Sequence, residues 1–289
     1  MSTDQPVAGW VDVTTPPVSM SGLAPSVAEL RRAWDAVSQG RYARPDPIQP
    51  SPVTLAVAGP GPDGEEASVS AWRPAEPLVV VVGAHAQAGA STVALAVAQA
   101  DPCARLLEIS LPACSGLAGA GSAELGELSS WVRSQRDGVV IERPATVEAG
   151  EPLPLDRVVR RTVLDVGVQP CAAGPRWVAA TVAAAEVVVV VAAGTVPGIR
   201  RLEVAVDELG SQRCVAVVRA VAGGRLPRQV RAAMGPVLQR LVDERRWAVM
   251  PCDGRLLVTG MSPAPLPKSV VSAGHTVLGL LNECEKGTK

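Results

Sequence analysis

Residues 78–100, LVVVVGAHAQAGASTVALAVAQA, decide the fold prediction. Their first five residues are an apolar run typical of a strand that is buried on both faces. Small residues follow at 83–90, and the apolar stretch at 91–100 is predicted to be a helix. A strand, a small-residue turn and a helix in this order form the layout of a phosphate-binding loop, because the turn and the free N–H groups at the helix start can surround an anion.

The turn matches the phosphate-loop pattern G-x-x-x-x-G-K-[ST] only in part. Gly89 takes the second glycine position and Ser91 the hydroxyl position, whereas Ala84 replaces the first glycine and Ala90 replaces the lysine. The alternative, that this segment is only a tight connection between a strand and a helix, therefore stays open. If a nucleotide binds here, the residues predicted to contact it are Gly83, Ala84, His85, Ala86, Gln87, Ala88, Gly89, Ala90, Ser91 and Thr92.

The rest of the chain alternates between apolar runs and helical intervals. Further strands are predicted at 104–109, 138–142, 162–168, 186–193, 213–220 and 247–251. Helices are predicted near 91–100, 122–135, 176–184, 197–209, 227–243 and 268–283. This alternation favours a doubly wound, mainly parallel sheet with helices on both faces, in which ligands bind at the carboxyl ends of the strands. The first strand, at 78–82, is expected at the centre of the sheet.

Over about residues 78–283 the chain resembles the ParA/MinD family of P-loop ATPases. The segment HAQAGAST aligns with the family's loop without gaps. It places His85 at the signature lysine, Ala90 at the loop lysine, and Ser91 and Thr92 at the hydroxyl pair, so both lysines are absent. The resemblance implies ATP or ADP with Mg²⁺ as cofactors, Ser91 as a ligand of the metal, and a homodimer in the ATP-bound form.

The same resemblance assigns residues at other strand ends. ARLLEIS ends where the family has catalytic acidic residues, which makes Glu108 or Ser110 the candidates. TVLDVGV resembles the strand with the Walker B aspartate, here Asp165, a second ligand for Mg²⁺ and a catalytic candidate. MPCDG resembles the turn that borders the base, and it contains Pro251 and Asp253. The alternative for Asp165 is an aspartate that only caps a neighbouring turn.

No lysine precedes Lys268, so none has moved into the loop from a neighbouring position. A charge-assisted hydrogen bond contributes about 1.5–3 kcal/mol, so the missing loop lysine predicts phosphate binding weakened about tenfold to a hundredfold. Arginines, 24 against three lysines, could supply a cation from another strand end or a partner chain, but the sequence does not identify one. His85 is a poor substitute for an ammonium group, and the alternative for it is an exposed histidine without a role.

Residues 1–77 have the composition of a tail. Prolines and glycines are closely spaced, and five arginines against nine acidic residues give the segment a charge of −4. It is predicted to be largely disordered, apart from a short amphipathic helix near 27–39 that begins with a capping box at Ser26 and Glu29. That helix is expected to dock on this chain or on a protein partner. Residues 78–289 are predicted to form the P-loop domain.

The overall composition narrows the class of protein. A net charge of −1 and 47% apolar residues argue against a wholly disordered or strongly basic chain. Scattered cysteines and the absence of a secretion signal indicate a reduced, cytoplasmic protein. The apolar stretch 177–193 contains Glu186 at its centre, so a helix followed by a strand is predicted instead of a membrane span. Seven arginines between Arg219 and Arg246 suit nonspecific DNA binding or an ordinary solvated helix face.

These observations favour a noncatalytic, ParA/MinD-like pseudo-ATPase that serves as an assembly, positioning or regulatory factor and binds nucleotide weakly or not at all. The first alternative is a divergent switch ATPase that hydrolyses ATP and dimerises with ATP bound. The second is a nonspecific DNA-binding accessory of partition or conjugative transfer. Many arginines and few lysines are typical of a GC-rich genome, and with the resemblance they indicate a bacterial source and a mobile element.

Overall fold

The computed structural model describes residues 70–287, apart from 111–114, 147–148, 169–174 and 222–223, together with Arg31, Trp34 and Asp35. The strands of this part of the chain are β1 (Leu78–Gly83), β2 (Ala104–Glu108), β3 (Ala123–Leu128), β4 (Trp131–Arg136), β5 (Val139–Pro144), β6 (Arg161–Val168), β7 (Val188–Ala193), β8 (Cys214–Arg219) and β9 (Trp247–Met250). The α-helices are α1 (Ala90–Ala100), α2 (Arg176–Ala184), α3 (Val196–Leu209), α4 (Arg228–Ala232), α5 (Pro236–Asp243), α6 (Gly254–Thr259) and α7 (Lys268–Gly287).

These strands form a single nine-stranded sheet with the order β3-β4-β5-β2-β6-β1-β7-β8-β9. From β5 to β9 in this order all neighbours pair in parallel, and β1 lies between β6 and β7 at the centre of the parallel part. Antiparallel pairs occur where β3 and β4 extend the sheet at one edge. The predicted doubly wound, mainly parallel sheet with a central first strand is therefore confirmed.

Apolar cores cover both faces of the sheet. Val79 and Val81 of β1 belong to one core, with residues of α1 and α7. Val80 and Val82 belong to the other, with residues of α2, α3 and α5. Because successive strand residues point to opposite faces, a continuous valine run is what a doubly covered strand requires. Full burial of each valine stabilises the fold by about 1.5–3 kcal/mol.

The helix predicted at 122–135 is wrong, because this segment forms the hairpin of β3 and β4, which continues into β5. Two tight turns connect these strands. Ser129 and Ser130 have φ angles of 47° and 67°, and Asp137 and Gly138 have 47° and 83°. Positive φ at both central residues is the hallmark of the type I′ hairpin turn, for which Asp-Gly is a preferred sequence. The Asp-Gly pair is thus the local signal that favours strands here.

Buried charges attach this hairpin to the parallel part of the sheet. Glu142 on β5 is fully buried and forms ion pairs with Arg105 on β2 and with Arg133 on β4. Arg136 on β4 is buried as well, and it donates hydrogen bonds to the carbonyl oxygens of Ala120, Ser262 and Ala264. Because an unpaired buried charge is costly, these contacts favour one position of the hairpin over others.

The single helix predicted at 227–243 is divided into α4 and α5. Pro236 begins α5, and a proline lacks the N–H group that a continuous helix would need there. The Glu203 carboxylate accepts hydrogen bonds from the N–H groups of Gly235 and Val237, at 2.7 and 3.1 Å, and so caps the second helix. The short helix α6 was not predicted. The predicted helices that correspond to α1, α2, α3 and α7 are confirmed.

The apolar stretch 177–193 consists of α2 and β7 with the exposed Glu186 between them, as predicted. Across the described residues, no helix combines the length and the apolar character that a membrane crossing needs. The carboxylate at the centre of the stretch therefore lies where a helix gives way to a buried strand.

Most of the predicted tail, including most of the helix near 27–39, lies outside the described residues. Arg31, Trp34 and Asp35 are helical and exposed. Near the start of the described sheet, Trp72 is buried, and its backbone N–H donates to Thr181 Oγ1 at 2.9 Å. Trp72 also packs edge to face against Trp177, with 5.9 Å between the ring centres. The proposed boundary at residue 77 stays a prediction.

Candidate functional site

The turn after β1 leads into a helix start with free amide groups. Gly89 lies in the left-handed region at φ 99° and ψ 23°, and α1 begins at Ala90 without a side-chain cap. Val93 N–H is the first amide of α1 with a backbone acceptor, Gly89 O at 3.1 Å. Within the described part of the chain, the amides of Ala90, Ser91 and Thr92 therefore remain available to an anion, and the helix dipole favours negative charge there.

Backbone hydrogen bonds define the shape of the turn 84–89. Ala84 N–H donates to the carbonyl oxygen of Val191 on β7 at 2.8 Å. Ala88 N–H donates to the carbonyl oxygen of His85 at 3.2 Å and closes the turn on itself. Small residues at most of these positions allow the backbone to curl tightly, as the sequence predicts.

His85 links the turn to the end of β7. Its Nε2 accepts the backbone N–H of Ala193 at 3.1 Å, and its Nδ1 lies 2.8 Å from the carbonyl oxygen of Ala86. The hydrogen bonds assign the tautomer with the proton on Nδ1, because only this form satisfies both contacts, and it carries no charge. His85 is half-buried, and whether it has a role in binding stays a prediction. It also adds no cation to the turn.

Asp165 is fully buried near the carboxyl end of β6, beside Ser91. Its Oδ1 accepts the N–H of Gly167 at 3.0 Å, as an aspartate that caps a turn would. Its Oδ2 has no hydrogen-bond partner of standard geometry in the described part of the chain, although the Ser91 hydroxyl interacts with the carboxyl group. Burial raises the pKa of Asp165 to about 7; hydrogen bonds from Ser91 and Gly167 oppose this, and the charge of Glu108 adds to it.

Glu108 occupies the position paired with Asp165 on the neighbouring strand β2. Its carboxylate accepts hydrogen bonds from the Ser115 hydroxyl, from Gly116 N–H at 2.7 Å and from Leu117 N–H at 3.3 Å. Burial raises the pKa of Glu108, and these hydrogen bonds and a nearby arginine oppose the effect. The buried carboxyl groups of Glu108 and Asp165 thus lie on paired positions of neighbouring strands. Residues 115–117, after β2, donate hydrogen bonds to both oxygens of Glu108.

The same segment lies against Ser91. A Cβ atom at Gly116 would stand 2.9 Å from Ser91 Oγ, 3.1 Å from Ser91 Cβ and 3.7 Å from Glu108 Oε1. Only a residue without a side chain fits at this distance from the first turn of α1. Residues 115–117, which we call the covering segment, therefore pack over the hydroxyl that the sequence assigns to Mg²⁺.

Two arginines lie at or near the carboxyl ends of strands on this side of the sheet: Arg219 on β8 and Arg143 on β5. Arg219, the last residue of β8, donates from Nη2 to Gln87 O at 3.1 Å and from Nε to Ala88 O at 3.3 Å. Arg143 on β5 acts through its charge on Glu108, and its buried Nε has no hydrogen-bond partner among the described residues. In the same part of the chain, neither arginine forms an ion pair. Arg219 is thus the cation that contacts the turn.

Arg219 also connects the turn to the segment that follows β9. Its Nη1 lies 3.8 Å from Cys252 Sγ, between Pro251 and Asp253. The Asp253 carboxylate accepts the N–H of Leu256 at 3.0 Å and caps α6. The role of this segment beside a base stays a prediction.

The structure brings the predicted residues together at the end of the sheet where the parallel strands have their carboxyl ends: 83–92, Glu108, Ser110 and Asp165. Ser110 follows β2, and its hydroxyl would lie 3.4 Å from a Cβ at Gly167. The segment with Pro251 and Asp253 lies on the far side of β7 and β8 in the strand order. Sequence reasoning missed the covering segment and the contacts of Arg219 and Arg143. The sequence signal for both arginines was their position near the carboxyl end of a buried strand, where residues of a binding site are expected.

The oxygen donors here suit Mg²⁺ in kind. Ser91 Oγ and the unpaired Asp165 Oδ2 are hard ligands, and Mg²⁺ in proteins is commonly bound by one or two carboxylates together with phosphate oxygens and water. No group of three His, Cys, Asp or Glu side chains in the described ranges could hold a metal. A magnesium ion would thus depend on oxygens of a bound phosphate, and the covering segment would have to move from Ser91.

The arginine-rich region 219–246 divides into two groups. Arg219 contacts the turn, and Arg246 donates to Ser211 O and Cys214 O and pairs with Glu244. The remaining arginines are exposed on or near α4 and α5: Arg225, Arg228, Arg231, Arg240 and Arg245. Five exposed arginines on short helices fit either an ordinary solvated surface or an electrostatic contact with phosphates.

No family model and no curated protein matches the chain. Among solved structures, it is similar to a Borrelia burgdorferi protein described as a plasmid partition protein bound to AMPPNP (9% identity, TM-score 0.48, 72% of this chain and 98% of that one). It is also similar to a ParA family ATPase from Chlorobium tepidum, with 16% identity and a TM-score of 0.45 over 72% of this chain and 99% of that one. A third similar structure is the septum site-determining protein MinD with Mg-ADP from Pyrococcus horikoshii, with 12% identity and a TM-score of 0.47 over 74% of this chain and 98% of that one. Likeness at this level carries no information on what this chain binds or does.

Proposed function

We propose that this chain is a noncatalytic protein with a P-loop-like fold, which acts in the cytoplasm as an assembly, positioning or regulatory factor and binds nucleotide weakly or not at all. The observation that carries the proposal is the position of the covering segment. Gly116 packs on Ser91, and Ser115, Gly116 and Leu117 use both oxygens of Glu108. The hydroxyl and one carboxylate that a magnesium-dependent reaction would need are therefore engaged by the chain itself.

The charges of the turn support the same proposal. Neither position 85 nor position 90 is a lysine, and His85 is the neutral tautomer that accepts the N–H of Ala193. A cation that contacts the charge developing on a transferred phosphoryl group can be worth about 10³ to 10⁵ in rate. Arg219 Nε and Nη2 donate to carbonyl oxygens of the turn, so these donors hold the turn itself. Negligible turnover is therefore the expected result.

A binding experiment tests the first part of this proposal. Calorimetric titration of the full-length chain with ATP and with ADP, each with Mg²⁺, is expected to show dissociation constants no tighter than about the millimolar range. Ala90→Lys restores a cation at the helix start and is expected to strengthen binding about tenfold or more. Ala86→Lys adds the same charge at an exposed position of the turn and serves as the matched control. Micromolar binding by the wild type would contradict the proposal.

The first alternative is a divergent switch ATPase that dimerises with ATP bound, and one observation favours it. Asp165 Oδ2 is fully buried without a hydrogen bond of standard geometry, next to Ser91, and a metal ion would supply the missing partner. In this alternative, nucleotide with Mg²⁺ displaces the covering segment and Arg219 replaces the loop lysine. The oligomeric state, measured by light scattering with and without Mg-ATP, separates the alternatives, since the noncatalytic protein should show no change.

The second alternative is nonspecific DNA binding in partition or conjugative transfer. The five exposed arginines of the region 219–246 favour it, since Arg228, Arg231 and Arg240 lie on the neighbouring short helices α4 and α5. Phosphate contacts of this kind weaken steeply as salt increases. DNA binding that is lost between low and moderate salt, and lost on changing these three arginines to glutamine, would support the alternative.

A further inference from the structure

We propose that Arg219 is the positioning residue of the turn 84–89, and that its charge, held on the carbonyl side of the turn, favours a phosphate-bearing anion at the free amides of residues 89–92. The inference deepens the site described under the proposed function and rests on the same turn. Arg219 ends β8, two strands away from β1 in the sheet order, and reaches the turn across the end of β7.

The contacts of Arg219 fit a fork that holds two successive peptide groups. Nη2 donates to Gln87 O at 3.1 Å, and Nε donates to Ala88 O at 3.3 Å. The planar guanidinium group has its donors in a fixed geometry, so paired bonds of this kind restrict orientation as well as distance. Gln87, with φ 60°, is the residue of the turn whose backbone most needs such support.

The bond to Ala88 O also determines where an amide group points. In a trans peptide the carbonyl oxygen and the following N–H lie on opposite sides of the C–N bond. Because Ala88 O faces Arg219, the N–H of Gly89 faces away from it. Gly89 N–H donates to no backbone acceptor in the described part of the chain. Arg219 therefore keeps this amide free, next to the free amides at the start of α1.

Position 89 is adapted to this arrangement. A Cβ atom at Gly89 would lie 3.0 Å from Arg219 Cδ and 3.1 Å from Arg219 Nε, and φ of 99° is unfavourable for any other residue. The glycine thus permits both the left-handed backbone and the approach of the arginine. Gly89 and Arg219 thus act together: the side chain of Arg219, from β8, packs against the backbone immediately before α1.

Charge is the second contribution of Arg219. In the described part of the chain no acidic side chain forms an ion pair with it, so its charge is not neutralised at close range. The remaining contact, with Cys252 Sγ at 3.8 Å, is to a thiol. The guanidinium group lies on the carbonyl side of the turn, and the free amides point to the opposite side. Its charge is not neutralised nearby, so it favours an anion at those amides. The ligand chemistry is that of an inorganic or nucleotide phosphate group.

The test uses full-length chain and inorganic pyrophosphate, titrated by calorimetry at two salt concentrations. Arg219→Gln keeps a hydrogen-bond donor and removes the charge, whereas Arg219→Lys keeps the charge and loses the fork. Arg240→Gln removes an exposed charge from α5 and is the matched control. We expect Arg219→Gln to weaken binding about tenfold and to flatten its salt dependence, Arg219→Lys to restore part of both, and Arg240→Gln to bind as the wild type.

Amide hydrogen exchange gives a readout without ligand. Ala88 N–H, which is bonded to His85 O, belongs to the peptide group that Arg219 holds through Gln87 O. Its exchange should be about tenfold faster in Arg219→Gln than in the wild type, and intermediate in Arg219→Lys. Faster exchange with unchanged pyrophosphate affinity would overturn the proposal, since Arg219 would then be structural only. No pyrophosphate binding by the wild type would also overturn it, while leaving the noncatalytic function intact.

Discussion

Gly116 packs against Ser91 so closely that a Cβ atom at residue 116 would stand 2.9 Å from the hydroxyl oxygen of the serine. The contact joins the covering segment to the first turn of α1 at the position where a P-loop protein would bind its metal. Together with the hydrogen bonds from Gly116 and Leu117 to Glu108, it places the covering segment against two residues of the candidate site. The function proposed for this chain depends on that relationship.

Gly116→Ala should separate the two segments. The added methyl group cannot fit without a shift, so we expect a loss of about 1–3 kcal/mol in the free energy of unfolding, measured by urea denaturation. Ser91→Gly removes the opposing atoms and should recover most of that loss in the double variant. Gly150→Ala is the control, because no atom lies within 4 Å of a Cβ there. Equal effects of Gly116→Ala and Gly150→Ala would show that the contact is absent.

Asp165 should make the stability of the protein depend on pH. Its pKa is about 7 in the folded chain against a usual 3.8, so between these values the folded state retains a proton that the unfolded state has lost. The contribution of Asp165 to stability is therefore greatest below about pH 4 and falls by up to about 4 kcal/mol as pH rises to about 7. The raised pKa of Glu108 acts in the same direction.

Asp165→Asn isolates this contribution, because the amide stays neutral. Relative to the wild type, the variant should gain stability steadily between about pH 4 and 7 and then level off, as measured by denaturation at several pH values. Asp243→Asn changes an exposed aspartate and should leave the pH dependence as it is. Parallel curves for wild type and Asp165→Asn would contradict the burial of an ionisable carboxyl group at this position.

His85 should be replaceable by a neutral acceptor and not by a cation. Glutamine can place Oε1 near the position of Nε2 and accept the N–H of Ala193, so His85→Gln should unfold near the wild-type temperature. His85→Lys and His85→Leu leave that N–H without a partner and should cost about 1–3 kcal/mol. His275→Leu, at an exposed position of α7, is the control. A stabilising His85→Lys would refute the neutral role given to the histidine.

Glu142 should be required for the attachment of the hairpin. Glu142→Gln leaves the buried Arg105 and the half-buried Arg133 without their shared carboxylate, for which we expect a loss of about 3–5 kcal/mol. Hydrogen exchange should increase first in β3 and β4. Glu151→Gln, which alters an exposed residue, should have no effect. A hairpin that stays protected in Glu142→Gln would mean that Arg136 and the backbone pairs suffice to attach it.

The parallel sheet was predictable because burial on both faces leaves a clear pattern. Runs such as 78–82 and 186–193 have almost no polar residues, and each run corresponds to a strand of the parallel sheet. The edge hairpin was not predictable from the same pattern, since β3 is exposed at all six positions and shows no buried face. The local sequence signal was the Asp-Gly pair at 137–138, which forms the tight turn between β4 and β5.

The candidate site was predictable only in its position. The order of strand and turn places Ser91 and Asp165 at the same edge, and the structure brings them into contact. No sequence pattern links the covering segment to Ser91 and Glu108. Gly116 differs from other glycines only in the atoms that it packs against, which the sequence does not show. Likewise, Arg219 contacts Gln87 across more than a hundred residues of chain, which no local pattern encodes.

ATP turnover tests the central claim most directly. Steady-state phosphate release should be measured for the full-length wild type with Mg²⁺, beside Ser91→Ala and Asp165→Ala, and with DNA added in a parallel series. The account predicts that all three proteins release phosphate at the background rate, because positions 85 and 90 of the turn are not lysines and the covering segment engages Ser91 and Glu108. Robust turnover by the wild type that both substitutions abolish would contradict it and would establish the divergent switch ATPase instead.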